Sequence, residues 1–455
     1  MLACFKIRAV PVNVNFRYVT DELKHLFDDA DLVVNITNER FADRVEAIRG
    51  DLPKLREVIV VEDGYEDALA AASPERDFGP RASDDLYCAY TGGTTGLPKG
   101  VIWTHEDIFF AGMGGGDVFH AGNYVKTPEE LVERLPNPGL VALATPPFMH
   151  VSAHWLLFSV MFGGGKMIVT PEGRFDPKTI WETVSSEGVN MLIIVGDAMA
   201  RPLADELAAN RDAYTTSSLL VVGSGGAVLS ASTKEKLANT LQTTMIVDGY
   251  GSSETGTMGR QATAAGQSAG GARFDMGDTT KVIDEEGNFV EPGSEVIGRL
   301  ARTGNIPLRY HKDPEKTEKT FVQAGGKRWV IPGDYAKVHS DGTIELLGRG
   351  SVSINTGGEK VYPEEVEAAV KDHPGVFDAV VVGVPDERWG ERVVVVIRPT
   401  EGSSPTIESI QQHCRTKLAG YKVPREICLV DEIVRSPAGK TDYRWAKQHA
   451  TSVLT

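Results

Sequence analysis

The chain has 455 residues, which at about 150 residues per domain predicts roughly three folding units. Hydrophobic residues make up 41% and charged residues 24%, which excludes a disordered chain. Lys and Arg total 47 against 63 Asp and Glu, a formal charge of −16, which excludes a general nucleic-acid binder but leaves room for a local basic pocket that takes one phosphorylated cofactor.

The chain starts MLACFKIRAV, with Lys6 and Arg8 where a secretory signal needs an apolar run. Residues 1–8 read as the end of a helix leading into a strand at 9–14. Short β-branched runs at 32–36, 57–61, 166–170, 191–195, 219–222 and 244–248 alternate with helical stretches such as 177–187 and 232–241, the pattern of parallel sheets covered by helices. Residues 117–138 read as a loop or lid insertion with one helical turn. The most apolar stretch, 140–165, is interrupted by Pro146, Pro147, His150 and His154 and falls short of the roughly 18 apolar residues of a membrane-spanning helix.

From about residue 266 the texture turns to β-hairpins marked by Glu-Gly and Asp-Gly. A compositional change at 349–358 precedes a helix start at Val361-Tyr362-Pro363-Glu364-Glu365, strands at 377–384 and 393–397, a helix at 407–418 and a strand at 426–430. The expected fold class is α/β. A large N-terminal domain, 1–350, combines helix-covered, mostly parallel sheets with a β-rich subdomain, and a small mobile α+β domain occupies 351–455. Cys4, Cys88, Cys414 and Cys428 stand far apart with no CxxC pair, which excludes a disulfide framework and a Cys-rich zinc module and suits a cytoplasmic location.

The strongest local signal is Tyr90-Thr91-Gly92-Gly93-Thr94-Thr95-Gly96-Leu97-Pro98-Lys99-Gly100. Its glycines let backbone approach a ligand, and its hydroxyls, amides and lysine suit phosphate oxygens. It is not a Walker-type loop, because Pro98 and Gly100 stand where Gly and Ser or Thr belong, and the chain holds no dinucleotide fingerprint. The same ordered series continues with Pro146-Pro147-Phe148-Met149-His150, Gly225-Gly226-Ala227 and Asp248-Gly249-Tyr250-Gly251-Ser252-Ser253-Glu254. It ends with Gly333-Asp334, Gly348-Arg349, Gly357-Gly358-Glu359-Lys360 and Ser436-Pro437-Ala438-Gly439-Lys440. Over essentially the whole chain this series resembles the acyl-adenylate-forming superfamily of acyl-CoA synthetases, luciferases and peptide-synthetase adenylation domains. The segment 348–367 is similar to bacterial medium- and long-chain fatty acyl-CoA synthetases, including relatives acting on steroid side chains.

The resemblance implies an AMP-forming acid–thiol ligase of fatty-acid and lipid metabolism, with a carboxylic acid, ATP and coenzyme A as its small-molecule partners and Mg²⁺ as cofactor. Joining a carboxylate to the α-phosphate of ATP replaces oxide, a bad leaving group, with AMP; such in-line chemistry needs positioning and charge neutralisation. By the resemblance, Thr91, Gly93, Thr94, Thr95, Gly96 and Lys99 hold the β- and γ-phosphates, and Glu254 holds Mg²⁺. Gly226, Ala227, Gly251, Ser252 and Ser253 flank the nucleotide; Tyr250 stacks on adenine and Asp248 accepts from its amino group. Asp334 and Arg349 take the ribose, Lys440 meets the α-phosphate and attacking carboxylate, and His150 lies beside the acyl group. Gly357 and Gly358 line the thiol tunnel after a hinge motion at Ser351, with Lys360 and Lys422 near the CoA phosphates. Phe109, Phe110 and Met113 line the acyl pocket. Residue by residue, plainer roles exist: Tyr250 as a core tyrosine, Asp334 as a turn acid, Lys440 as a solvated lysine. The oligomeric state, a homodimer included, is not legible in the sequence.

The family has a substantial segment before the position of Met1. A short first sheet would expose apolar surface and an unpaired edge, so the alternative expectation is a truncated, non-enzymatic nucleotide-binding paralogue. It also predicts aggregation on heating, and a cooperative melt above about 60 °C without aggregation contradicts it.

Overall fold

The computed structural model describes residues 1–91, 98–116, 125–135, 138–170, 175–269, 273–356, 359–435 and 439–454. Local chemistry fixes the ends of its elements. Helix Pro177–Glu187 opens on Asp176, whose carboxylate accepts the Thr179 N–H at 3.0 Å, carries Pro177 in its first turn and stops at Gly188 with φ 63°.

The parallel part of the main sheet runs Lys166–Val169, Val141–Ala144, Met191–Ile194, Val221–Gly225, Met245–Ser252. Helices Pro177–Glu187, Gly196–Ala209 and Ala231–Leu241 bury Trp181, Leu203 and Leu237 in the core against it. Strand Gly256–Thr263 turns back antiparallel on Met245–Ser252. Through Arg273–Met276 and Ile344–Arg349 the same sheet continues to Asp334–Val338 and Gly298–Arg302. The β-rich portion is therefore an antiparallel extension of the parallel sheet. A smaller sheet pairs Leu86–Thr91 with Lys99–Thr104, Thr91 opposite Lys99, and Arg309–Tyr310 joins its edge. Two further parallel strands, Val34–Thr37 and Glu57–Val60, stand by themselves.

The C-terminal sheet contains Val376–Asp386, Gly390–Pro399 and Glu426–Leu429 beside the short strands Ile354–Thr356 and Glu359–Val361. Side chains alternate across a strand. Val381, Val393, Val395 and Ile397 pack with Val366 and Ile410 of helices Pro363–Lys371 and Ile407–Arg415, while Val380, Val382, Val394 and Val396 pack with Ala446 and Ala450 of helix Tyr443–Leu454. Covered on both faces, these strands read in sequence as unbroken valine runs.

One expected element is absent. Residues 9–14 form no strand, although Val10, Val12 and Val14 alternate as a strand would. Pro11 has no N–H to give a ladder, and Asn13 uses its side chain instead: its amide donates to Tyr90 O at 2.9 Å and Met149 O at 2.8 Å and accepts the Tyr90 N–H at 2.8 Å. Of the 117–138 segment the described residues include helix Pro128–Glu133. Among the described residues no helix is long and apolar enough to cross a membrane.

Trp181 is fully buried and donates its indole N–H to Leu203 O at 2.9 Å. Trp181→Ala is expected to destabilise the large domain by about 3–5 kcal/mol, read as a lower urea midpoint for its transition; an unshifted midpoint contradicts the packing described.

Candidate active site

Strands Asp334–Val338 and Ile344–Arg349 pair with Asp334 directly opposite Arg349, so sheet register alone sets carboxylate beside guanidinium. Arg349 Nε donates to Asp334 Oδ1 at 3.2 Å, while the buried Oδ2 has no hydrogen-bond partner among the described residues. A buried acceptor without a donor costs stability and offers a place for a ligand hydroxyl. Tyr250, at the end of strand Met245–Ser252, lies beside the same carboxylate; burial first, then the Asp334 charge, pushes its phenol well above the usual range. Its ring centroid stands 5.9 Å from that of Phe274.

Glu254 sits in the turn that follows the same strand, and Oε1 accepts the Tyr310 hydroxyl at 3.1 Å. Lys316 Nζ rests 4.0 Å from the Tyr310 ring centroid. Burial, then the neighbouring Lys99, holds the Lys316 ammonium below its usual value, against the pull of Glu254 and Asp313. Lys99 itself pairs with Asp313. Asp313 also caps helix Pro314–Thr320, accepting the Lys316 N–H at 3.0 Å.

Lys440 arrives from the C-terminal module. Arg435 Nη1 donates to Gly439 O at 2.9 Å and Thr441 Oγ1 at 3.0 Å, fixing the loop on either side of it. Gly439 has φ 70°, and a Cβ there would meet Val195 Cγ1 at 3.2 Å, so only glycine fits this approach without strain. A Cβ at Gly226 would lie 3.9 Å from Lys440 Cε, which puts the lysine over the Gly225-Gly226-Ala227 turn. The residue keeps solvent access along the cleft, yet protein crowds its ammonium. That crowding, then Arg349, lowers its pKa, and Glu254 and Asp334 oppose the shift. His150 Nε2 is buried without a hydrogen-bond partner among the described residues, and burial, then Lys440 and His154, pushes its pKa down to about 4. Its imidazole is neutral at neutral pH.

The structure thus brings together Lys440, Glu254, Asp334, Arg349, Tyr250, His150, Gly226 and Ala227, and reaches Lys99 and Thr91 through Lys316. Gly251 packs so closely on Gly256 O that a Cβ would fall 2.1 Å away. Ser252 Oγ accepts the Glu254 N–H at 3.3 Å, and Ser253 O accepts the Trp103 indole N–H at 3.0 Å, so these residues shape the turn that carries Glu254. Asp248 is engaged within the protein. Its carboxylate pairs with Lys234 at 3.0 Å, both side chains buried, and burial pushes its pKa up to about 6 despite the lysine. Lys422 is bound to Glu365 at 2.6 Å. Met113 is in the core with Trp155 and Phe158, and Phe109 packs its ring on Phe110 and Phe162. Gly93, Thr94, Thr95, Gly96, Gly357 and Gly358 lie outside the described residues, as do 436–438. Tyr310, Asp313 and Lys316 are the residues that motif reading misses; the Asp313-Pro314 helix start is the signal that marks the segment.

Glu364, at the start of helix Pro363–Lys371, presses on Gly348, where a Cβ would lie 2.0 Å from its Oε2. That oxygen is buried without a hydrogen-bond partner among the described residues, and burial first, then Glu367 and Asp334, pushes the carboxyl up to about 8 from 4.5. A raised acid stabilises the fold in its protonated form, so the contribution is complete below about pH 4.5 and is lost as pH rises through about 8. The melting midpoint of Glu364→Gln is expected to fall less over that window than that of the parent; equal slopes contradict the assignment.

Comparison with known proteins matches the AMP-binding enzyme family over residues 1–307 and its C-terminal domain family over residues 365–440. A medium/long-chain-fatty-acid–CoA/3-oxocholest-4-en-26-oate–CoA ligase of Mycolicibacterium smegmatis is 49% identical, over 98% of this chain and 84% of its own length. A 3-oxocholest-4-en-26-oate–CoA ligase of Rhodococcus rhodochrous is also 49% identical, over 98% of this chain and 83% of its own. In fold, the chain superposes on ATP-bound MatB from Rhodopseudomonas palustris with a TM-score of 0.81 at 24% identity, covering 100% of this chain and 86% of that one. With two family matches spanning both modules and relatives at this identity, the chain belongs to the AMP-binding enzyme family.

Proposed function

We propose that the chain is an ATP-dependent acyl-CoA synthetase. It joins a carboxylic acid, of the medium- or long-chain fatty acid or steroid side-chain class, to the α-phosphate of ATP and then passes the acyl group to coenzyme A. The observation that carries this reading is the place of Lys440, over the Gly226 turn and within electrostatic reach of Glu254 and of the paired Asp334 and Arg349. The relatives' names support the acid class.

In this reading Asp334 Oδ2, which has no hydrogen-bond partner among the described residues, accepts a ribose hydroxyl while Arg349 holds Oδ1, and Tyr250 faces the base. Lys440 donates to the α-phosphate and the attacking carboxylate oxygen, where negative charge gathers. Neutral His150 orients the acyl carboxylate without adding a third cation to Lys440 and Arg349. Lys99, released from Asp313, neutralises the outer phosphates, the Thr91 hydroxyl donates to them, and Lys316 stands behind. Asp248 supports the strand through its buried Lys234 pair. Among the described residues no group of three His, Cys, Asp or Glu holds a metal alone. A single carboxylate, Glu254, fits Mg²⁺, which keeps its waters and takes phosphate oxygens; the ion supplies charge neutralisation there. The module 351–455 presents Lys440 for adenylation, and Gly357 and Gly358 serve thioester formation.

An active ligase gives acid-dependent ATP–pyrophosphate exchange, and a nucleotide binder without catalysis gives none. Lys440→Ala is expected to lower exchange by about 10²–10³-fold while sparing thioester formation from supplied acyl-adenylate. Equal loss of both half-reactions contradicts the role of Lys440.

A further inference from the structure

Arg201, on helix Gly196–Ala209 of the large domain, reaches into the C-terminal module. Its Nη1 donates to Val376 O at 2.9 Å and Phe377 O at 2.6 Å, and its Nη2 donates to Lys371 O at 3.0 Å. Lys371 ends helix Pro363–Lys371, and the C-terminal carbonyls of a helix have no intrahelical donors and carry partial negative charge. A planar guanidinium fork suits several oxygens at once, whereas a lysine ammonium acts as a point charge.

The other side of the guanidinium faces a buried carboxylate of the large domain. Nε lies 3.7 Å from Asp197 Oδ2, and Asp197 Oδ1 accepts the Ser230 N–H at 2.9 Å and its hydroxyl at 3.0 Å. Phe377 is followed in the strand by Asp378, which holds Arg435 at 2.8 Å and Lys371 at 3.4 Å. Arg435 in turn holds Gly439 O, next to Lys440. A continuous polar chain therefore links Asp197 of the large domain, through Arg201, to the loop that carries Lys440.

We infer that Arg201 is a positioning residue, a latch that docks the C-terminal module in the orientation that delivers Lys440 to the cleft. The inference rests on the proposed two-step ligase chemistry. The latch serves adenylation, which needs Lys440, and is not needed for transfer from a preformed adenylate.

The test separates the half-reactions and also reads orientation without activity. Arg201→Ala is expected to lower acid-dependent pyrophosphate exchange roughly tenfold to a hundredfold, with thioester formation from supplied acyl-adenylate within about twofold of the parent. Arg201→Lys restores part of the exchange. Unchanged exchange, or equal loss of both steps, overturns the inference.

Spin labels at Asn210 and Glu401, both exposed, in a full-length Cys4→Ser background report the distance between modules by pulsed electron paramagnetic resonance. The latch predicts a broader distribution in Arg201→Ala than in the parent, and an identical distribution overturns it. Should the parent show no acid-dependent exchange with any acid tested, the ligase reading fails while the label distances still decide the latch. If Arg201→Ala fails to fold because Asp197 is left as an unpaired buried charge, Asp197→Asn/Arg201→Ala removes that charge and carries the same predictions.

Discussion

Two cations, Lys440 and Arg349, stand against two carboxylates, Glu254 and Asp334, in one cleft, and each reaches it by a different route. Asp334 and Arg349 are fixed by the register of adjacent strands, Glu254 by a turn held through Ser252 and Trp103, and Lys440 by a loop that Arg435 holds. Like charges at close range disfavour each other's ionised state; burial first, then that repulsion from Arg349, lowers the Lys440 pKa. The carboxylates offset it only in part. In the proposed function a polyanion with a sugar hydroxyl completes the balance, its phosphates answering the cations and its hydroxyl Asp334 Oδ2.

This constraint explains the shape of the sheet. Because the antiparallel extension is continuous with the parallel strands, Tyr250 at the end of one strand and Asp334 at the start of another keep a fixed relation across hydrogen-bonded neighbours. The C-terminal sheet is stabilised by its own apolar layers on both faces, and it meets the large domain largely through polar or close-approach contacts: Arg201 on three carbonyls, Glu364 on Gly348, the ring of Tyr362 beside Tyr335. A module with its own core and a polar seam can be redocked at small cost compared with one that shares a hydrophobic core.

Much of this was legible in the residues. Asp176, Pro177 and Gly188 mark one helix end to end, and the valine runs mark the two-faced C-terminal strands. The strand at 9–14 misled because alternation was genuine while Pro11 and the side-chain bonding of Asn13 remove the ladder. The pairing of Leu86–Thr91 with Lys99–Thr104 was hidden because the glycine-rich motif lies in the sequence between the two strands. Within the site, Asp334, Glu254 and Lys440 are individually ordinary residues that only the ordered set of motifs singles out. Lys234, which engages Asp248, and Arg201, which joins the modules, carry no sequence mark, because their partners are set by tertiary packing.

The central claim is that residues scattered from Lys99 to Lys440 address one nucleotide. A crystal structure with a non-hydrolysable acyl-adenylate analogue tests it most directly. The account predicts ribose hydroxyls on Asp334, the adenylate linkage within reach of Lys440 and the acyl end beside His150. An analogue bound in another cavity, with Lys440 turned to solvent and Asp334 Oδ2 still without a donor, would contradict it.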